Sequence, residues 1–170
     1  RSSDLSPTTG PNTACGSLTL YFDGSDVGLA SGGEDVDSVE LLPDGTLLLS
    51  TTGSFRTNGL SGRDEDILAF TPSLLGDSTL GSWALYFDGS DVALSGNGED
   101  VDALAVSGGD IYLSTTGNFS TSGLSGADED IFVCNTTGTG TNTSCSSFTL
   151  LFDGSAYGLG GNDIFAFDLP

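Results

Sequence analysis

One ten-residue motif occurs three times at constant spacing and constrains the fold more than any other feature of the sequence. It reads LYFDGSDVGL at 20–29, LYFDGSDVAL at 85–94 and LLFDGSAYGL at 150–159, each copy 65 residues after the last. A fixed period of this length is typical of a chain built from copies of one supersecondary unit.

The segments between the motifs also correspond, since GGEDVDSV at 32–39 matches NGEDVDAL at 97–104. We therefore predict one domain that spans the whole chain, residues 1–170. Its internal repeats are 20–84, 85–149 and a partial third, 150–170.

Each full repeat contains four short runs rich in Val, Ile, Leu, Phe and Tyr and bounded by Gly, Asn, Asp and Ser, which is the composition of strands and turns. Asp-Gly at 44–45 and Gly-Gly at 108–109 predict tight turns. No segment of helical length has a 3.6-residue apolar period. The sequence predicts an all-β fold of about ten short strands, either a β-sandwich or a barrel, with propeller-like blades as the alternative.

The charge balance excludes several classes of function. The chain carries 24 acidic and 3 basic residues, a formal net charge of −21, and no histidine. Such a surface repels phosphate backbones and anionic lipids, so we expect neither nucleic acid nor a membrane as partner. Histidine-based triads and metal sites are excluded, and there is no lysine for Schiff-base chemistry. Carboxylates duplicated in tandem indicate repeated structure, so we predict that the protein is not an enzyme.

The acidic residues of each full repeat are concentrated in three short segments. In a strand, residues two apart share a face, so Asp35 and Asp37 point the same way, as do Asp100 and Asp102. Carboxylates without histidine or thiolate partners favour calcium, while Asx-turns are the alternative role for turn aspartates. The predicted calcium ligands are Asp23, Asp26, Glu34, Asp35, Asp37, Asp64, Asp66, Asp88, Asp91, Glu99, Asp100, Asp102, Asp128 and Asp130.

The three cysteines and several sequons indicate a secreted chain. Cys134 and Cys145 enclose a polar run that has no core of its own, so we predict a disulfide, with free buried thiols as the alternative. Cys15 is left over, either as a free thiol or as a link to another chain. A start at Arg1 without any methionine is typical of a processed, mature terminus. Glycan is expected at Asn118, Asn135 and Asn142, and the protein is expected to be extracellular or at a cell surface.

The motifs FDGSDVGL, EDVDAL, LSTTG and GLSGADEDI together cover most of the chain. In this combination the sequence resembles a repeat of large secreted bacterial proteins for which no function is established. The resemblance implies an extracellular β-repeat and carries no activity with it.

The third repeat contains an apolar strand, with Asp163, Ile164, Phe165, Ala166 and Phe167 following its FDGS motif. An uncovered apolar strand is a template for pairing with another chain. We predict that this segment completes a neighbouring copy, giving head-to-tail assembly into a filament or surface layer stabilised by calcium. The alternative is that the two ends of the chain close the sheet within one molecule.

The aromatic residues indicate an alternative function. If these side chains formed one exposed platform, the protein would be a monomeric, calcium-dependent module that binds carbohydrate or mediates adhesion. The aromatic residues concerned are Tyr21, Trp83, Tyr86, Tyr112 and Tyr157.

Overall fold

The computed structural model describes residues 15–169, and nearly all of its regular structure is β-strand. The prediction of an all-β fold is confirmed. Short 3-10 helices follow the three FDG motifs at Gly24–Val27, Gly89–Val92 and Ser155–Tyr157. The strands are β1 (Val36–Leu41), β2 (Leu47–Thr51), β3 (Phe55–Arg56), β4 (Ser61–Gly62), β5 (Ile67–Leu74), β6 (Leu80–Phe87), β7 (Val101–Ser107), β8 (Asp110–Thr115), β9 (Phe119–Thr121), β10 (Leu124–Gly126), β11 (Ile131–Gly138) and β12 (Ser144–Phe152).

The first sheet is antiparallel, with the order β1-β2-β5-β6. The turn between β1 and β2 contains Asp44, whose carboxylate accepts the N–H of Thr46 at 2.9 Å, and Gly45, whose φ of 88° favours glycine. Between β2 and β5 the chain forms a small hairpin of β3 and β4. A β-carbon at Gly62 of this hairpin would lie 2.5 Å from the ring of Phe55, so glycine is required there.

The second sheet repeats this arrangement, with the order β12-β11-β8-β7 and a small hairpin of β9 and β10. The registers also correspond. Leu49 lies opposite Leu68 in the first sheet. Their counterparts in the second repeat, which here follow 64 residues later, are Leu113 and Phe132, and these lie opposite each other in the second sheet.

The sheets are out of phase with the sequence repeats. Strand β6 (Leu80–Phe87) includes the start of the second repeat but pairs with β5 of the first, with Ile67 opposite Phe87. Likewise β12 (Ser144–Phe152) crosses into the third repeat and pairs with β11. Each sheet therefore takes three strands from one repeat and completes itself with residues of the next. The reason is the short link between these strands, which joins them as a hairpin.

The first sheet is packed on both faces. Leu48 and Ile67 point into a core shared with the second sheet, where they meet Val101 and Leu104. Leu47 belongs to a separate core on the opposite face of the first sheet. The two sheets are thus layered as in a sandwich, and among residues 15–169 neither closes into a barrel. Their strand order, with β1 in contact with β7, is also compatible with propeller-like blades.

The predicted disulfide is confirmed. Cys134 on β11 is bonded to Cys145 on β12, with their α-carbons 5.3 Å apart. It ties together the two ends of the polar hairpin between these strands, adding about 3 kcal/mol by the loop-closure estimate. Cys15 is a free, exposed thiol.

The third-repeat segment, residues 153–169, lies along the second sheet. The corresponding segment of the second repeat, which begins at Asp88, lies along the first sheet in the same way. The N–H of Gly154 donates to the Asp130 carboxylate at 3.1 Å, as that of Gly89 donates to Asp66 at 3.0 Å. Gly154 is its one fully buried residue within the part of the chain that is described.

Candidate functional site

An apolar groove opens on the face of the first sheet that points away from the second. It has a volume of about 510 Å³ and is lined by β1, β2 and the segment around the first FDGS motif. Val36 and Val39 on β1 are 43% and 58% exposed. Their side chains face solvent although they belong to a strand with a buried face. Among residues 15–169, nothing covers this apolar surface. The other apolar residues that line it are Leu20, Tyr21, Phe22, Leu29, Leu47 and Leu49.

The same positions in the second repeat are buried. Val101 and Leu104 occupy the places of Val36 and Val39, and they are 0% and 3% exposed. The first sheet covers them, because Leu48 packs into the same core. The groove is therefore the first-repeat form of a surface that, one repeat later, is an interior interface between two sheets.

The glycines of the FDGS motifs show the same difference. A β-carbon at Gly89 would lie 2.5 Å from the backbone oxygen of Glu65, in the turn before β5 of the first sheet. One at Gly154 would clash with the backbone of Glu129, in the turn before β11 of the second. At Gly24 a β-carbon would meet only the side chains of its own loop, at 3.3 Å or more. Gly89 and Gly154 thus allow a close backbone contact, whereas Gly24, at the same position of the first repeat, lines the open groove.

The acidic residues of the FDGS turns bind backbone and hydroxyl groups of their own fold. Asp26 accepts the N–H of Thr79, and Asp91 accepts the N–H of Thr143, each at 2.9 Å. The Asp23 carboxylate caps its 3-10 helix at the N–H of Ser25. Asp88 makes no such cap, and its carboxylate accepts the hydroxyl of Ser90 at 2.7 Å.

Glu34 and Glu99 hold together loops that are distant in sequence. Glu34 accepts the N–H groups of Ala30, Ser31 and Arg56, which lower its pKa to about 2. Burial raises the pKa of Glu99, but the N–H groups of Ser95, Gly96 and Ser120 outweigh it, and the net shift is downward. Sequence reasoning missed this capping role; the recurrence of the Glu three or four residues after a small, polar turn is the signal that indicates it.

The acids before β5 and β11 are also occupied by the fold. Asp66 accepts the N–H groups of Arg63 and Gly89, and Asp130 accepts those of Ala127 and Gly154. Burial is the main cause that raises the pKa of Asp66. Of their neighbours, Asp64 lies within hydrogen-bond reach of Glu65, and Asp128 within reach of Glu129.

A different set of carboxylates lacks such partners. Asp37, Asp100, Asp102 and Asp163 each have at least one buried side-chain oxygen without a hydrogen-bond donor. Asp163 was predicted to serve assembly and was not among the predicted ligands. Asp35, the predicted partner of Asp37, lies exposed.

The predicted glycan sites lie on or near the surface. Asn118 and Asn142 are exposed, whereas Asn135 is half-buried, and its amide donates to the backbone oxygen of Ser147 at 3.2 Å. The sequence predicts glycan at all three, and the structure leaves Asn118 and Asn142 more accessible than Asn135.

The aromatic residues do not form one exposed platform. The Trp83 ring packs against Phe70, and its indole N–H donates to the Val27 carbonyl at 2.8 Å. Tyr21 lines the groove, whereas Tyr157 stacks on Phe152 at the far end of the molecule. Tyr86 and Tyr112 are half-buried.

Over residues 15–169, no helix has the length and apolar character needed to cross a membrane. In the same range, no group of three or more acidic, cysteine or histidine side chains is placed so that it could hold a metal ion as it stands. Comparison with known proteins found no matching family model, no similar curated protein and no similar solved structure.

Proposed function

We propose that the protein is an extracellular structural subunit that self-associates head to tail, with the groove on the first sheet of one copy receiving the second sheet of another. A disulfide is compatible with an extracellular location. The observation that carries the proposal is the correspondence between the exposed groove and the buried interface one repeat later.

The occupant of the groove is inferred from the interface inside the chain. Leu48 and Ile67, which cover Val101 and Leu104, correspond to Tyr112 and Ile131 on the second sheet. A second copy therefore offers the groove a surface of the type that already packs on its counterpart. Interfaces formed by one patch on a different patch extend into open chains unless the rotation closes a ring.

Docking in this way requires the third-repeat segment to move. This segment lies on the second sheet where the first repeat of an incoming copy has to lie, and the two have related sequences, FDGSAYGL and FDGSDVGL. It is weakly held, since Phe165 is 69% exposed and Tyr157 is 75% exposed. The incoming repeat brings a whole sheet with it, so exchange gains buried apolar area.

The decisive experiment adds one methyl group to the groove. Gly24→Ala should perturb the isolated fold little, because its β-carbon meets only the side chains of Leu29 and Phe22, at 3.3 and 3.4 Å, and these have to give by only a few tenths of an ångström. It nevertheless places a β-carbon where a docked backbone has to approach. We expect sedimentation analysis to show concentration-dependent assembly of the wild-type protein and a loss of affinity of about 30-fold or more in the variant.

Gly32→Ala is the matched control, because a β-carbon there meets nothing within 4 Å and the residue is exposed. It should assemble like the wild type. A wild-type protein that stays monomeric at all concentrations, or a Gly24→Ala variant that assembles normally, contradicts the proposal.

A further inference from the structure

We propose that a divalent cation of the size of Ca²⁺ binds at the junction of the three repeats, held by the carboxylates of Asp37, Asp100, Asp102 and Asp163. Asp37, Asp100 and Asp102 are among the ligands that the sequence predicts within single repeats. The proposed site instead joins them across repeats and adds Asp163, and it does not depend on self-association. We call these four residues the junction cluster.

The fold brings the four residues together from three separate parts of the chain. Asp37 lies on β1, and Asp102 lies on β7, which packs against β1. The Asp102 and Asp163 carboxyl groups are within hydrogen-bond reach of each other. A small cavity of about 130 Å³ next to the cluster is lined jointly by β1, β7 and residues 165–167.

Five of the eight carboxylate oxygens of the junction cluster are buried and have no hydrogen-bond donor among residues 15–169. Asp102 is 3% exposed, and neither of its side-chain oxygens has a hydrogen-bond partner. Asp100, which is 9% exposed, has one buried oxygen without a partner. Asp37 and Asp163 also have one such oxygen each. Asp37 satisfies its other oxygen with the Ser50 hydroxyl at 2.6 Å. Buried polar atoms in native proteins almost always have a partner, so five such oxygens at one junction support a ligand site there.

The electrostatics of the junction disfavour full ionisation of the four carboxylates, which a bound cation would allow. The charged groups that act on Asp100 and Asp102 are all carboxylates, namely those of Asp37, Asp64 and Asp163. Burial, followed by this repulsion, raises the pKa of Asp100 to about 7. Burial and the contact with Asp163 raise the pKa of Asp102 as well. A bound cation removes the repulsion that these shifts reflect.

The donor set suits calcium. Ca²⁺ takes 6–8 oxygen ligands in flexible geometry, so five carboxylate oxygens and a few water molecules suffice. Because the carboxylates are not already arranged as a finished centre, binding has to rotate them inward, and we expect an affinity of about 10⁻⁴ to 10⁻³ M, the range of extracellular calcium modules. Asp35 is the first-repeat counterpart of Asp163, so a docked copy supplies an equivalent carboxylate.

The test compares thermal unfolding of the full chain in CaCl₂ and in EDTA, at matched ionic strength and at dilution where it is monomeric. We expect saturating Ca²⁺ to raise the wild-type Tm by about 3–10 °C. Asp102→Asn and Asp163→Asn should lose most of this rise. In EDTA both should melt at or above the wild-type temperature, because each removes a buried like charge. If these side chains had a purely structural role, the variants would not lose the calcium-induced rise in Tm while melting at or above the wild-type temperature in EDTA.

Asp77→Asn is the control, since it removes one charge from an exposed turn and should keep the full calcium response. Equal calcium responses in all four proteins overturn the proposal. So does a wild-type protein that ignores Ca²⁺ but is stabilised when the pH is lowered from 8 to 6 in EDTA, because the cluster then holds a shared proton.

Discussion

Gly89 lies so close to the backbone oxygen of Glu65 that a β-carbon on the glycine would be 2.5 Å from it. Gly24 holds the same place in the first repeat without a counterpart of Glu65 among the described residues. One position of the repeat is thus an interior contact in one copy and a surface in the other.

This difference predicts that the same substitution destabilises the fold at one site and changes its stability little at the other. Gly89→Ala forces the Glu65 backbone away and should lower the free energy of unfolding by about 1–3 kcal/mol, the cost of overpacking. Gly24→Ala should change it by less than about 0.5 kcal/mol. Urea unfolding at dilution measures both, and equal losses would show that the two glycines have equivalent surroundings.

Acid should release the Glu34 cap. Its folded pKa of about 2 lies below its ordinary value of 4.5, so the ionised side chain stabilises the fold above pH 4.5. That stabilisation is lost as the pH falls from 4.5 towards 2. We expect Glu34→Gln to lower the Tm clearly at pH 7 and much less near pH 2.

The control for this cap is Asp35→Asn, which changes an exposed neighbour and should have little effect at either pH. A Glu34→Gln penalty that is as large near pH 2 as at pH 7 would contradict the capping role. Such a result would mean that the charge on Glu34 adds no stability through its hydrogen bonds with the N–H groups of Ala30, Ser31 and Arg56.

Deletion of residues 163–170 distinguishes two modes of assembly. If this segment competes with an incoming copy for the second sheet, its removal should strengthen self-association. If it donates a strand to a neighbour, as the sequence analysis predicts, its removal should abolish assembly. Light scattering of the deleted and full-length chains, both in EDTA, decides between them.

Salt should promote assembly. Each copy carries a formal net charge of −21, so approach of two copies is opposed by repulsion that 0.1 M salt screens beyond about 10 Å. The groove is mainly apolar, and its contacts are not weakened by screening. We expect the apparent Kd to fall as NaCl is raised in EDTA; dissociation at high salt would indicate an interface built on ion pairs.

The sequence allowed the class of fold and the Cys134–Cys145 bond to be predicted, because alternation, turn residues and a short polar loop are local signals. It did not allow the sheets to be delimited. The link between β5 and β6 reads as part of a spacer between repeats, yet it is a hairpin turn held by the Thr79 hydroxyl, which donates to the Gly76 carbonyl at 2.8 Å.

The candidate site was only partly accessible to the same reasoning. Acid clustering identified Asp37, Asp100 and Asp102, but it included Glu34, whose oxygens are taken by backbone N–H groups. Asp163 was assigned to assembly because its contact with Asp102 joins residues far apart in sequence, and such a contact depends on how the repeats pack.

The offset between sheets and sequence repeats has a consequence for how this protein can be shortened or lengthened. A cut at the boundary between residues 84 and 85 severs β6, so the first sheet loses part of its last strand and the remnant stays on the fragment that carries the second sheet. A cut in the loop at 95–98, before β7, leaves the first sheet whole. Gene fusions or excisions made at the boundaries of the sequence repeats, such as 84/85, should therefore give insoluble products. Those shifted by about ten residues should give modules that fold and can be joined in series.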